Sequence, residues 1–265
     1  MSYDHRRHAG NAGDLWKHLL LAEVADRLLA AGVRVYVESH AGRSEYQLLP
    51  GGEWEGGIGR LWPPRGDLTR YSYFVILGGL NPGGLMRYPG SATIVLEIAR
   101  VRGIDLRMEL WDKSPEVEGA WRRSRGGGGG PEVQFHLGDG FSGASRLVEE
   151  LRESALLLID SPFVDEEDAA LVDQLMGRAA EAGWAALSWH PVGGRPLPTP
   201  RSRHRTFALD FNEADLDGCG MEGVAMVLAW GDRTPGGIED LVEGLVRIEE
   251  EFARLARRLS QPLYL

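Results

Sequence analysis

Residues 155–159, Ala-Leu-Leu-Leu-Ile, carry no polar side chain and run straight into Asp160, Ser161, Pro162 and Phe163. A continuous apolar run of five residues is short for a helix and suits a strand covered on both faces, as in a parallel sheet. Open α/β sheets bind ligands outside the carboxyl ends of their strands, which is where Asp160 falls. An acid, a tight turn, a proline and an aromatic ring then supply a hydrogen-bond acceptor, a stiff backbone and a flat stacking surface. Such a set can hold a planar base by its amino group.

The rest of the chain supports this architecture. Residues 14–31 place Leu15, Leu19, Val24, Leu28 and Leu29 at helical spacing, predicting an amphipathic helix closed by Gly32. Strands are predicted at 34–39, 104–110, 133–137 and 184–189, with 206–211 and 223–230 as a closing pair. Helices are predicted at 91–102, 116–123, 141–152, 166–182 and 238–259. This alternation predicts an α/β fold with a mostly parallel sheet and helices on both faces. Residues 50–88, rich in Gly, Pro and Trp, read as a small insertion, and Gly126–Gly130 as a connector. One domain, 1–265, is expected, with a lid-like segment at 1–13. Glu38, Asp112 and Asp160 end successive strands and Asp139 follows another, so four acids line one edge of the sheet.

Composition narrows the function classes. No run reaches the ~18 apolar residues of a membrane span, no apolar segment follows His5-Arg6-Arg7-His8, and Cys219 is the single cysteine. A soluble, cytoplasmic protein without disulfides is expected. The scattered His5, His8, His18 and His40 lack the spacing and cysteine partners of a zinc site, so no metal is expected. Net charge is −10, which counts against a nucleic-acid partner, because phosphate neutralisation drives much of that affinity. Arg122-Arg123-Arg125 and the arginines around His204 read individually as solvated loop charge.

A more specific pattern emerges from the order of short motifs. Asp160-Ser161-Pro162-Phe163 resembles the Asp-Pro-Pro-Tyr/Phe motif of adenine-N6 methyltransferases. Tyr3-Asp4-His5, His8-Ala9-Gly10-Asn11, Asp14, Lys17-His18, His40-Ala41-Gly42 and Tyr46-Gln47-Leu48 precede it in turn. Tyr88-Pro89-Gly90-Ser91, Asp139-Gly140-Phe141 and Trp189-His190-Pro191 complete the series. From residue 3 to about 192 the chain resembles the bacterial large-subunit (23S) ribosomal RNA adenine-N6 methyltransferases.

The resemblance implies a Rossmann-like S-adenosylmethionine-dependent methyltransferase fold, with S-adenosylmethionine as methyl donor and protein-free ribosomal RNA as partner. It implies Lys17, His18, His40, Gly42, Ser91, Asp112, Asp139, Gly140, Phe141 and Asp160 as donor-site residues. In physical terms Asp112 can accept from ribose hydroxyls, Asp139 from an adenine amino group, and Lys17 can meet a carboxylate. Phe141 is expected to flank the donor's ring, and the Ser39–Gly42 turn to aim backbone N–H groups at its methionine end. Asp160, Ser161, Pro162 and Phe163 are implied as the catalytic set. The carboxylate and the Ser161 carbonyl would accept the two amino N–H bonds of adenine, while Phe163 stacks on the extruded base. Tyr3, His5, Arg6, His8 and Asn11 are implied as substrate contacts.

The chain departs from the family pattern at Arg43-Ser44-Glu45, where a second glycine is usual, at Ser161 for proline, at Gly13 for alanine, and at Glu38 for a shorter acid. Two alternatives stay open on these residues. One is a relative that binds the donor or RNA without transfer, and the other an enzyme acting on DNA or a small adenine-bearing molecule.

Overall fold

The computed structural model describes residues 5–64, 66–124, 133–162, 167–193, 196–235 and 237–260, the side chains of His5, Arg6 and Ser124 excepted. Helix α1 (His5–His8) and the long α2 (Ala12–Ala30) lead into strand β1 (Val35–Glu38). An antiparallel ribbon, β2 (Glu45–Gln47) with β3 (Arg87–Pro89), brackets an excursion of short 3-10 turns and helix α3 (Ser72–Leu80). The chain then alternates through α4 (Ser91–Val101), β4 (Arg107–Asp112), α5 (Pro115–Ser124), β5 (Val133–Leu137), α6 (Gly140–Glu150) and β6 (Ala155–Ile159). It closes with α7 (Asp168–Glu181), β7 (Ala185–Val192), β8 (Arg203–Asp210), α8 (Phe211–Ala214), β9 (Gly223–Trp230) and α9 (Ile238–Ser260).

Seven strands form one sheet in the order β5-β4-β1-β6-β7-β9-β8. All pairs are parallel except those made by β9, which runs against both β7 and β8. The chain starts in the middle, winds outward to β5, and returns to β6 on the other side of β1. The carboxyl ends of β1 and β6 therefore flank the point where the winding reverses, the place where such sheets bind ligands. Every residue of β1, β6 and β9 is buried, as expected of strands covered on both faces. The α2, α4 and α9 helices and the excursion cover one face. The α6 and α7 helices cover the other.

Helix α2 differs from the amphipathic expectation. Fourteen of its 19 residues are buried, Lys17 and His18 among them. It is enclosed by the sheet, α3, α4 and α9, so no side is left to solvent except near its ends. Asn11 starts it by accepting the Asp14 N–H at its side chain, and Gly32 follows it with φ +103°. The excursion places Ile58, Leu61, Leu68, Tyr73 and Phe74 in the same core as α2, so it has no separate interior.

Boundaries moved where neighbouring bonds decide them. Strand β4 starts at Arg107 rather than 104, because the Ile104 N–H closes α4 on the Ala99 carbonyl. Pairing with β9 carries β7 on to Val192 and draws β8 back to Arg203. Close packing accounts for two glycines of α6. A β-carbon on Gly140 would collide with the Ser39 carbonyl, and one on Gly143 with the Trp111 indole. The Gly126–Gly130 connector lies outside the described residues.

Candidate active site

The carboxyl edge of the sheet gathers the predicted acids around the β1–β6 reversal. Asp160, the residue after β6, accepts a hydrogen bond from Lys17 Nζ at 2.7 Å. The same ammonium lies 2.8 Å from Asp14, one turn earlier on α2. Lys17 is buried, which works against its charge, but the two carboxylates outweigh that and raise its pKa. For Asp14, burial also opposes ionisation, and the neighbouring ammonium is the main influence that lowers its pKa. Lys17 was expected to meet the donor's carboxylate, yet in this structure two protein carboxylates occupy it.

The turn after Asp160 is held by a side chain. Ser161 is buried and its hydroxyl donates to Asp168 at 3.1 Å, at the start of α7. That bond restrains the turn at the position where the Asp-Pro-Pro motif has its first proline. Pro162 is exposed, and Phe163 lies outside the described residues.

On the other side of the reversal, Glu38 is completely buried, with the Tyr36 hydroxyl donating to Oε2 at 2.8 Å. Its Oε1 is buried without a hydrogen bond of ordinary geometry. Burial pushes its pKa well above the usual carboxylate range. The longer acid folds back against the strand instead of reaching into the cleft.

The turn that follows is largely spent on the protein itself. The Ser39 N–H donates to Leu158 and the Ala41 N–H to Trp111, while the Gly42 N–H donates to Asp112 Oδ2 at 3.2 Å. These three amides are therefore committed, contrary to the expectation that the turn aims them at a ligand. Asp112 Oδ1 also accepts from the Ser114 N–H at 2.7 Å. Each oxygen keeps lone-pair capacity for another donor. Gly42 has φ +60°, and a β-carbon there would meet the Tyr46 hydroxyl at 2.8 Å.

His40 projects among the acids. Its Nδ1 lies 2.9 Å from Ser39 Oγ, and its ring stands edge-on to Phe141 at 5.0 Å. Burial lowers its pKa against the pull of Asp160, Asp112, Asp168 and Asp139, keeping the ring neutral. Phe141 is buried beneath it, so its ring supports His40 rather than lying open in the cleft. Asp139 caps α6 through the Ser142 N–H and pairs with Lys113 at 2.8 Å. The Lys113 hydrogen bond is the main cause of its pKa falling to about 2. An open hollow of about 410 Å³ adjoins it, lined by Trp111, His136, Asp139, Ser142 and Arg146 among others.

His18 and Ser91 sit behind this edge rather than on it. His18 Nδ1 is 2.9 Å from the Tyr88 hydroxyl and Nε2 is 3.1 Å from Ser91 Oγ. Tyr88 in turn meets the Tyr73 hydroxyl at 2.9 Å. Burial, assisted by the Lys17 charge, lowers the His18 pKa to about 3, so the ring is a neutral link. Both residues are almost fully enclosed, which assigns them to the wall rather than to its surface.

The implied substrate residues divide likewise. His8 Nδ1 lies 2.6 Å from Glu53, and Asn11 Nδ2 donates to the same carboxylate at 3.0 Å, so both tie the entry of α2 to the excursion. Tyr3, with the side chains of His5 and Arg6, lies outside the described residues.

Comparison with known proteins agrees with this geometry. The family model described as ribosomal RNA large subunit methyltransferase D, RlmJ, matches residues 32–196. The chain belongs to this methyltransferase family. Two relatives named ribosomal RNA large subunit methyltransferase J are 29% identical over 210 residues in Haemophilus influenzae and 28% identical over 205 in Escherichia coli. Each match covers 72% of this chain and 70% of the relative. A Legionella pneumophila protein of known crystal structure shares the fold, with a TM-score of 0.73, 21% identity, and coverage of 93% and 94% of the two chains. With the family match, the seven-stranded sheet with its reversed β9 is a Rossmann-like methyltransferase fold.

In this methyltransferase the feature that sequence reasoning missed is the union of Asp14, Lys17 and Asp160. The spacing of Asp14 and Lys17 on one helical face was a usable signal for their pairing. Nothing local announced that Asp160, 143 positions from Lys17, completes the group.

Proposed function

We propose that this chain methylates the N6 amino group of an adenine in protein-free large-subunit ribosomal RNA, with S-adenosylmethionine as the methyl donor. The observation that carries the reading is the Lys17–Asp160 pair at the reversal point, next to a turn restrained by Ser161 and Asp168. It is joined by membership of a ribosomal RNA methyltransferase family.

The residues present fit the donor. Asp112 at the end of β4 keeps acceptor capacity for hydroxyl groups, and Asp139 borders an open hollow. His40, Asp112 and Asp139 would hold the donor. When bound, S-adenosylmethionine supplies an electrophilic methyl group on a positively charged sulfur.

The work of the protein is then positional. An adenine amino nitrogen is a poor nucleophile because its lone pair is shared with the ring. Asp160 and the Ser161 carbonyl accept its two N–H bonds, which fixes the direction of that lone pair. Lys17 fixes the carboxylate in turn, through a bond of 2.7 Å. As the nitrogen gains its methyl group, Asp160 is the nearest acceptor for the proton it gives up. Phe163 supplies the stacking ring.

The test is transfer of labelled methyl groups to protein-free ribosomal RNA. Asp160→Ala is expected to lower transfer by at least about 100-fold, with S-adenosylmethionine affinity by calorimetry kept within about threefold. Undiminished transfer would remove Asp160 from the reaction. A second reading, a small adenine-bearing substrate, draws on the charge balance. Among the described residues Arg203 pairs with Asp232 and Glu239, and Arg122 with Glu118, which weakens those basic clusters as phosphate sites. Transfer to adenosine or a mononucleotide at a rate equal to that on ribosomal RNA would favour it.

A further inference from the structure

Trp189 stands at the carboxyl end of β7, the neighbour of the strand that presents Asp160. Ile159 pairs in register with Ser188, so the next position along both strands sets Trp189 beside Asp160. Parallel neighbours run about 4.8 Å apart. The two side chains leave the sheet on the same face: Asp160 reaches Lys17 of α2, and Trp189 packs half-buried against the core that α2 shares. Indole atom Cζ2 lies 3.5 Å from the place a β-carbon on Gly13 would take, in the first turn of α2.

The indole nitrogen of Trp189 is buried and makes no hydrogen bond. Among the described residues Trp184 and Trp230 share that condition. Trp184 precedes β7, however, and Trp230 ends the antiparallel β9, so both belong to the opposite edge of the sheet. Trp16, Trp54 and Trp121 spend their N–H groups on the carbonyls of Phe207, Leu49 and Gly42. A donor left unpaired inside a wall costs free energy until a partner arrives. Trp189 leaves one next to the acid that holds the acceptor nitrogen.

We infer that Trp189 is a substrate-contacting residue, whose indole forms the wall of the acceptor pocket on the α2 side of Asp160. Its ring packs on the extruded adenine nucleotide, and its N–H serves an oxygen or ring nitrogen of that nucleotide. The inference rests on the adenine-methylation reading above. A base fastened by its amino group at Asp160 comes within reach of a side chain one strand away, and an indole offers both apolar surface and one donor there.

The experiment compares Trp189→Phe with Trp189→Leu in the full chain, using protein-free large-subunit ribosomal RNA and labelled S-adenosylmethionine. Leucine keeps the site apolar but removes the ring, whereas phenylalanine keeps the ring. Trp189→Phe is expected to hold kcat/KM for RNA within about fivefold, and Trp189→Leu to lower it roughly 10- to 100-fold. Donor affinity by calorimetry stays within about twofold in both, and their thermal midpoints agree within about 4 °C. If Trp189→Leu does not fold, Trp189→Met repeats the comparison with an unbranched filler. Equal losses in the ring-bearing and ringless variants, or losses that follow donor affinity, overturn the inference and leave the methyltransferase reading intact. Absence of transfer by the unaltered protein overturns that reading, and the inference with it.

Discussion

Strands β1 and β6 lie side by side, and each delivers an acid to the same edge, but the two acids are kept in opposite ways. Glu38 is level with Leu158 and therefore still inside the sheet's covering layers, where burial raises the pKa of its carboxyl well above the usual range. Asp160 stands two positions further along, 22% exposed, with an ammonium 2.7 Å away. A shift of two residues in register separates an acid whose charge burial disfavours from one held beside a cation at the open edge. Depth decides the protonation of the first, and a cation decides the orientation of the second.

That contrast can be broken from the Asp160 side with the largest effect. Lys17→Met would leave Asp14 and Asp160 facing each other without their shared cation. A loss of about 3 kcal/mol is expected from such an uncompensated group, read as a fall in thermal midpoint of roughly 6–12 °C. A midpoint unchanged by the substitution would mean that the ion pair holds nothing in place. From the Glu38 side the effect is smaller and depends on pH. The raised pKa means that the folded chain keeps a proton which the unfolded chain releases above about pH 4.3. Stability of the natural protein should therefore decline, relative to Glu38→Gln, as pH rises through this window, approaching about 1.4 kcal/mol per pH unit. Denaturant titrations at several pH values measure that slope, and parallel curves would show Glu38 to be ionised in the fold. The smallest effect belongs to an acid that is neither deep nor enclosed. Lys113→Met should let the Asp139 pKa climb from about 2 toward the ordinary range, with no measurable change in stability because the pair is exposed. Carboxyl NMR titration follows it directly, and a value still near 2 would assign the depression to the Ser142 N–H and hydroxyl.

Much of the architecture was legible because burial on two faces leaves continuous apolar strands, as at Leu156–Ile159, while turn residues mark their ends. The register of acids along one edge followed from the same pattern. Helix α2 was less legible. Its lysine and histidine mark a polar side to any periodicity argument, yet distant partners bury them both. Ser161 read only as a departure from proline, because its acceptor, Asp168, lies across a loop. Gly140 was expected only as a donor-site residue, and the Ser39 carbonyl adds a packing reason for glycine that no local pattern showed. In each case the decisive contact is tertiary and spans elements that local patterns treat separately.

The buried chain from Tyr73 through Tyr88 and His18 to Ser91 carries a consequence for the excursion between β2 and β3. A neutral imidazole owns a single N–H and a single lone pair, so the polarity of the Tyr88 hydroxyl dictates the opposite polarity at Ser91. The excursion thus imprints a direction, and not merely a shape, on the helix that begins beside the reaction edge. Trimming the loop away to make a smaller enzyme would strip the Tyr88 hydroxyl of its Tyr73 partner inside an oily wall, and the histidine beyond it would feel the cut.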